Sequence, residues 1–294
     1  MLHKAKIGNL KKSKIEIDNY ELRLSIPYLD AGFFKVHKFC MEYAICTVAV
    51  APVRAEPSHR AEMTTQLLFG ETMQVLETKD EWFRVLSLYD NYEGWLTYHL
   101  IEEVEKSMTL EPLKFVCGDL LNTIEFSGQS INVPMGAALT GFNLQTELLW
   151  KSEYSFSGKY KSLEAPSSAE ELLITAKKWL NTPYLWGGKT FMGVDCSGFV
   201  QTVFKMHGVR LSRDAWQQAN EGEEVEELSS AERADVAFFE NIAGKIIHVG
   251  ILLNSNQIIH ASGKVRVDKI DEKGIINVQN GKGTHQLHSM KRFF

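Results

Sequence analysis

The chain predicts a multidomain fold in which all-β modules precede an α+β domain. Three observations carry this expectation. Short apolar segments of strand length recur between turn residues from Met41 to about residue 105. A helix-capping pattern opens at Ser167, and apolar strand-like runs return from about Asp235. The 294 residues have room for two or three domains, and 44% apolar with 11% aromatic residues is ample for packed cores.

Taken in order, residues 1–40 crowd lysines at the start and develop no periodicity. They are expected to be an extension, weakly packed or docked as an arm, with Met41 as an alternative start. Residues 41–105 form the first β module, with strands expected at 47–51, 72–76, 82–86 and 93–97. Residues 106–163 are also β-rich, punctuated by Gly118, Gly128, Gly136, Gly141 and Gly158. The last domain is expected over 167–294. Ser167 with Glu170 and Ser168 with Glu171 offer overlapping capping boxes, and Leu172, Leu173, Ala176, Trp179 and Leu180 continue a helical stripe that Pro183 ends. The acidic stretch 221–227 reads as a solvated loop, and the glycine-rich 281–285 as a turn.

A net charge of −5 argues against a nucleic-acid partner or a basic membrane-binding role. No run approaches the ~18 apolar residues needed to span a bilayer. The basic start, Met1 to Lys6, is followed by charged and polar residues with no signal-peptide core, so a cytoplasmic location is expected. The cell envelope is the alternative if the natural N-terminus differs. The four cysteines, Cys40, Cys46, Cys117 and Cys196, form no Cys-x-x-Cys pair. No zinc site and no cofactor are expected. Three of the four read as small apolar residues in a reducing compartment.

Cys196 stands apart. It follows Pro183-Tyr184-Leu185-Trp186-Gly187-Gly188 and sits in Gly193-Val194-Asp195-Cys196-Ser197-Gly198. It opens an amphipathic segment, with Phe199, Val203, Phe204 and Met206 on one side, that ends at His207-Gly208. A thiol at a helix N-terminus feels the positive end of the macrodipole, which favours its thiolate. The preceding glycines allow close backbone approach to a substrate. His248 and His260 follow on apolar, strand-like segments. Together these read as a cysteine nucleophile, a general base in His248, and His260 as the group that orients it. The two histidines share parity, so they share a sheet face only across an odd connection. A three-residue loop, Asn254-Ser255-Asn256, is expected, with His248 opposite His260.

This combination resembles the NlpC-type cysteine peptidases, carried by Tyr184, Trp186, Gly187, Gly188, Asp195, Cys196, Ser197, Gly198, His248, Gly250 and His260. The resemblance covers roughly residues 167–294. Separately, Pro52 to Ser58, Gln66 to Glu71 and Tyr92-Glu93-Gly94-Trp95 resemble a bacterial SH3-like barrel, and a second, diverged barrel over 106–163 is implied by family architecture alone. The resemblance implies SH3-like barrels before an α+β, papain-like peptidase domain. It implies cleavage of γ-D-glutamyl–diamino acid bonds in free murein peptides that carry a free N-terminal L-Ala, as in cell-wall peptide recycling. Tyr184 is then an oxyanion candidate beside the Cys196 N–H, and Trp186 a cleft wall. Asp195, Tyr92 and Glu56, chosen over Glu62, are candidates for holding the substrate amine. Ser197 is a further substrate-binding candidate. Arg213 and Asp214 are candidates for the D-Glu α-carboxylate, although Ala215 stands where the family has a serine. The alternatives are an envelope endopeptidase on intact peptidoglycan and a non-catalytic peptidoglycan-binding protein. Diaminopimelate or lysine preference, and oligomeric state, stay open.

Overall fold

The computed structural model describes residues 41–294 together with two short paired strands, Ile17–Asp18 (β1) and Glu21–Leu22 (β2). The chain divides into two compact units, Met1–Cys40 and Met41–Phe294. Expectations for the rest of residues 1–40, Cys40 included, lie outside the described residues.

The first module is a seven-stranded antiparallel sheet of Tyr43–Cys46 (β3), Val50–Arg54 (β4), Met63–Leu68 (β5), Thr72–Lys79 (β6), Trp82–Ser87 (β7), Glu93–Thr97 (β8) and Ile101–Glu103 (β9). It curls into an SH3-like barrel with strand order β5-β4-β8-β7-β6-β3-β9. Alternation builds its core: Phe83 and Val85 of β7 meet Val53, Leu67, Met73 and Leu96 inside. The strand expected at 47–51 covers the connection Thr47–Ala49 between β3 and β4 and only the first two residues of β4. β3 pairs with β6 and β9 while β4 pairs with β5 and β8, so the chain must cross between them through Thr47–Ala49.

A five-residue helix, Lys106–Leu110 (α1), leads to Phe115–Cys117 (β10), Leu121–Phe126 (β11), Gln129–Pro134 (β12), Tyr154–Ser155 (β13) and Tyr160–Ser162 (β14). These make two small sheets, β10-β14 and β12-β11-β13. Their core of Cys117, Ile124, Val133, Tyr154 and Phe156 also takes Leu68 and Phe69 from the first barrel, so the two β modules share buried surface.

The last domain begins with Ala169–Lys177 (α2), where Ser168 Oγ accepts from Glu171 N at 3.3 Å. Lys189–Thr190 (β15) and Gly193–Val194 (β16) pair ahead of Cys196–Lys205 (α3), and Ala215–Gln218 (α4) follows. The sheet contains Glu223–Glu224 (β17), Val236–Glu240 (β18), Ile246–Asn254 (β19), Gln257–Ser262 (β20), Lys264–Asp271 (β21), Gly274–Ile276 (β22) and Gly283–Arg292 (β23). Its order is β17-β23-β18-β19-β20-β21-β22, and β22 also pairs with β23, closing the sheet on itself. The acidic stretch is thus partly strand, and Glu221 accepts a bond from Ser212 N at 3.2 Å.

Helix α3 lies against the sheet, with Phe199, Val200 and Val203 in one core with Val249, Ile251 and Ile259. Its apolar stripe was predicted, but all ten of its residues are buried. The β modules cover the polar face. Gln201 Nε2 donates to Asp90 Oδ2 at 3.0 Å, and Lys205 Nζ donates to Glu71 Oε1 at 2.6 Å, which pairs a buried ammonium with a buried carboxylate.

Candidate active site

Asp195 is the N-cap of α3, and Cys196 is the first helical residue. Asp195 Oδ1 accepts from Gly198 N at 2.6 Å, the bond expected of an N-cap carboxylate. Gly198 is required here because a Cβ would stand 2.3 Å from the Gly188 carbonyl oxygen. Gly187, at φ +74°, lies so close to the barrel that a Cβ would stand 2.4 Å from Met63 O. The glycines therefore serve chain-to-chain contact within the protein, rather than the approach to substrate expected from sequence.

The Cys196 thiol is buried and pushed up to about 12, chiefly by burial and then by Asp195, against the pull of the Val249 and Ser197 N–H groups and Arg213. The helix terminus does not yield a resting thiolate, because loss of solvation outweighs it. Cys46 and Cys117 are likewise pushed up to about 12 by burial.

The sheet supplies the imidazoles. His260 pairs with Gly250 across β19 and β20, so His248 lies diagonal to it on the same face. The predicted register is corrected. The turn is the two residues Ser255 and Asn256, and a bulge between Leu252 and Asn254 restores the parity that such a turn would break. His248 Nε2 lies 2.8 Å from His260 Nδ1. Burial, with His260 and His285 nearby, holds His248 well below its ordinary value, so the ring is neutral near pH 7. The backbone N–H of Val249, next to His248, bonds to the Cys196 thiol, which places the thiol beside this strand.

Two neighbours were not anticipated. His260 Nε2 lies 3.1 Å from Asp268 Oδ2. His285 stacks on His248 with ring centroids 4.2 Å apart, and it belongs to β23, so the predicted turn at 281–285 ends at Gly283. The signal for Asp268 was present. A turn at Gly263 puts Arg266 opposite His260, and Asp268, two residues on, shares that face. His285 arrives by non-local closure of the sheet, for which no local signal exists.

The remaining candidates separate into two groups. Arg213 is 1% exposed, and four of its five N–H donors are committed. Nη1 reaches Asp195 Oδ1 at 3.1 Å and Ser197 Oγ at 2.9 Å, Nη2 reaches Asp195 Oδ2 at 2.6 Å, and Nε reaches Thr65 Oγ1 at 2.7 Å. Arg213 therefore ties the nucleophile's helix to the barrel and does not present a free guanidinium to a carboxylate. Asp195, which also accepts from Gly187 N at 2.9 Å, has its lone pairs filled and is not a free acceptor for an ammonium group. Ser197, buried between Arg213 and Asp195, is held in the same network.

Tyr184, Tyr92, Asp214 and Trp186 keep partly exposed surfaces. Burial and the neighbouring Cys196 push Tyr184 up, which keeps its hydroxyl a donor. Tyr92, raised by burial and then by Asp214, also bonds Thr64. Asp214 is itself raised by burial against the pull of Arg213. Trp186 Nε1 donates to Glu62 Oε1 at 2.6 Å. Of the two glutamates in this barrel loop, Glu62 rather than Glu56 bonds a residue of the peptidase domain. A cavity of about 500 Å³ lined by Glu71, Tyr89, Lys205 and Arg210 does not include Cys196. Among the described residues no cluster of His, Cys, Asp and Glu has metal-holding geometry.

The NlpC/P60 family model matches residues 181–282, and the bacterial dipeptidyl-peptidase SH3 domain model matches residues 53–99. A γ-D-glutamyl-L-lysine dipeptidyl-peptidase of Bacillus subtilis strain 168 is 30% identical over 213 residues, 67% of this chain and 71% of that protein. Dipeptidyl-peptidase 6 of Lysinibacillus sphaericus is 26% identical over 259 residues, 78% of this chain and 92% of that protein. The fold is similar to the crystal structure of an NlpC/P60 family protein from Bacillus cereus ATCC 10987, with a TM-score of 0.71 at 19% identity, covering 85% of this chain and 99% of that one. The chain belongs to the NlpC/P60 family of cysteine peptidases, with a bacterial SH3 domain in front of its peptidase domain.

Proposed function

We propose that this enzyme is a cysteine peptidase of cell-wall peptides that cleaves the γ-D-glutamyl–diamino acid bond of free murein peptides, releasing L-Ala-γ-D-Glu. The names of its relatives support peptidase activity on such peptides. The observation that carries the reading is the joining of two halves. The Cys196 thiol lies beside β19, the strand that carries His248 of the His248–His260 pair, and the first barrel reaches the same domain through Glu62 and Trp186.

In this mechanism Cys196 Sγ attacks the γ-carbonyl carbon of D-Glu while its proton passes to His248. Transfer accompanies attack because the resting pair is thiol and neutral imidazole. The oxyanion is met by the Cys196 N–H, which has no intrahelical partner at the first helical position, and by the Tyr184 hydroxyl. The His248 imidazolium then protonates the leaving amine and the C–N bond breaks, leaving a thioester. Water attacks that thioester, giving a proton to His248, and as the C–S bond breaks His248 returns that proton to Sγ, restoring the thiol.

The free L-Ala ammonium is held by Asp214, Tyr92 and Glu62, since Asp195 is committed to Arg213. Each charge-assisted bond contributes roughly 1.5–3 kcal/mol. The test is kcat/KM for L-Ala-γ-D-Glu-L-Lys against its N-acetylated form. Acetylation removes the charge and adds bulk beneath the barrel, so the blocked peptide should be cut at least ~100-fold more slowly, about 2.7 kcal/mol. Equal rates would leave an endopeptidase without the dipeptidyl restriction.

A further inference from the structure

The hydrogen-bonded chain behind the candidate base does not end at His260. Asp268 is 2% exposed and its two oxygens are differently occupied. Oδ1 accepts from Arg266 Nη2 at 2.9 Å and from Val278 N at 2.9 Å, while Oδ2 faces His260 Nε2 at 3.1 Å. Burial raises this carboxyl, but the bonds from His260, Val278 and Arg266 outweigh it and hold it below the ordinary value, so it is ionised at neutral pH.

An ionised carboxylate only accepts hydrogen bonds, which fixes every proton in the chain. His260 Nε2 must carry a hydrogen to donate to Asp268. Neutral His260 then has a bare Nδ1, which accepts at 2.8 Å from His248 Nε2–H. Neutral His248 is left with a bare Nδ1, the atom able to take a proton from a thiol. We propose that Asp268 is a positioning residue that acts through His260 to hold His248 in the tautomer able to deprotonate Cys196. This rests on the peptidase reading above.

Asp268→Asn gives a prediction with a fixed sign. Arg266 Nη2 and Val278 N–H both donate to the Oδ1 position, so the amide oxygen must stay there and the NH₂ must face His260. That donor needs a bare His260 Nε2, which moves the hydrogen to Nδ1. His260 then donates to His248 Nε2, and His248 carries its hydrogen on Nδ1, where it cannot accept from the thiol. Asp268→Ala only removes the bias. A purely structural role ranks the variants the other way, because Asn keeps the shape and Ala leaves a hole.

Two measurements test this on the full-length protein. The first is ¹⁵N-histidine NMR of the resting enzyme, which needs no substrate. The titratable and charged groups facing the pair are His248 on β19, Arg266 on β21 and His285 on β23, so spectra belong at neutral pH, where His248 and His285 are neutral. His248 should be protonated at Nε2 in the wild type and at Nδ1 in Asp268→Asn. The second is steady-state kinetics with L-Ala-γ-D-Glu-L-Lys. Asp268→Asn should lose on the order of 10²–10⁴-fold in kcat with KM within about threefold. Asp268→Ala should lose less. An unchanged His248 tautomer in Asp268→Asn, or a larger kcat loss in Ala than in Asn, would overturn the proposal. A wild type that never cleaves the peptide would count against the peptidase reading, while the NMR result would still decide the tautomer.

Discussion

Asp195 and Asp268 flank the thiol–imidazole pair and are built alike. Each is buried, at 6% and 2% exposure, each is paired with an arginine on its own side of the site, and each accepts backbone N–H groups. They differ in one partner. Asp195 faces Arg213, a donor that cannot change its protonation, whereas Asp268 faces His260, a ring that can hold its hydrogen on either nitrogen. The same buried carboxylate is therefore a clamp in one place and a proton-placing group in the other. Asp195 caps α3, fills the Gly187 turn and, through Arg213 and Thr65, joins the nucleophile's helix to the barrel. Asp268 touches neither the helix cap nor the barrel.

The largest effect that separates them is on stability. Asp195→Asn weakens the cap and leaves the Arg213 guanidinium buried without its counter-charge, a change that costs about 3–5 kcal/mol when one partner of such a pair is lost. The urea midpoint should fall accordingly. Asp268→Asn should lose far less stability and far more kcat. Equal losses of stability in the two variants would erase the distinction.

A smaller effect sharpens it. The groups that titrate abnormally near neutrality lie with the histidines: burial holds His248 well below 6.5 and His285 at about 4. His207, on the far side of the domain, is also held at about 4 by burial. A histidine with a lowered folded value binds its proton more readily in the unfolded chain. Its stabilisation is present above 6.5 and is lost as pH falls toward the folded value, at up to about 1.4 kcal/mol per pH unit for a fully shielded ring and less for the half-exposed His285. Urea midpoints should therefore drop between pH 6.5 and pH 4, and His285→Gln should flatten that slope. A slope unchanged by His285→Gln would contradict the placement of that ring.

The legible parts of this site were those fixed by short-range pattern. Cys196, His248 and His260 are residue types out of place in apolar segments, and Asp195 with Gly198 reads as a cap. The barrel strand Glu93–Thr97 matches the expected span, with the turn-forming Asp90-Asn91 shortly before it and the 3₁₀ turn Tyr98–Leu100 directly after it. What escaped required partners distant in sequence. Arg213 meets Asp195 only because the loop between α3 and α4 folds back, and only the bond from Trp186 distinguishes Glu62 from Glu56. Complete burial of α3 could not be read from its own stripe, since Glu71 and Asp90 on the barrel accept from its polar side. The two-residue turn at Ser255 and Asn256 would have set His248 and His260 on opposite faces, and only the bulge at Leu252 reconciles them.

The proposed function stands on cleavage of the γ-D-glutamyl bond by the Cys196 thiol. Mass spectrometry of products from L-Ala-γ-D-Glu-L-Lys tests it most directly, with wild type and Cys196→Ala run side by side. A small residue remains at a helix start in the variant, so its fold should be retained, which its urea midpoint checks. The wild type should give L-Ala-γ-D-Glu and free lysine, and Cys196→Ala should leave the peptide intact. Wild-type turnover by the folded alanine variant, or scission between L-Ala and D-Glu, would contradict it.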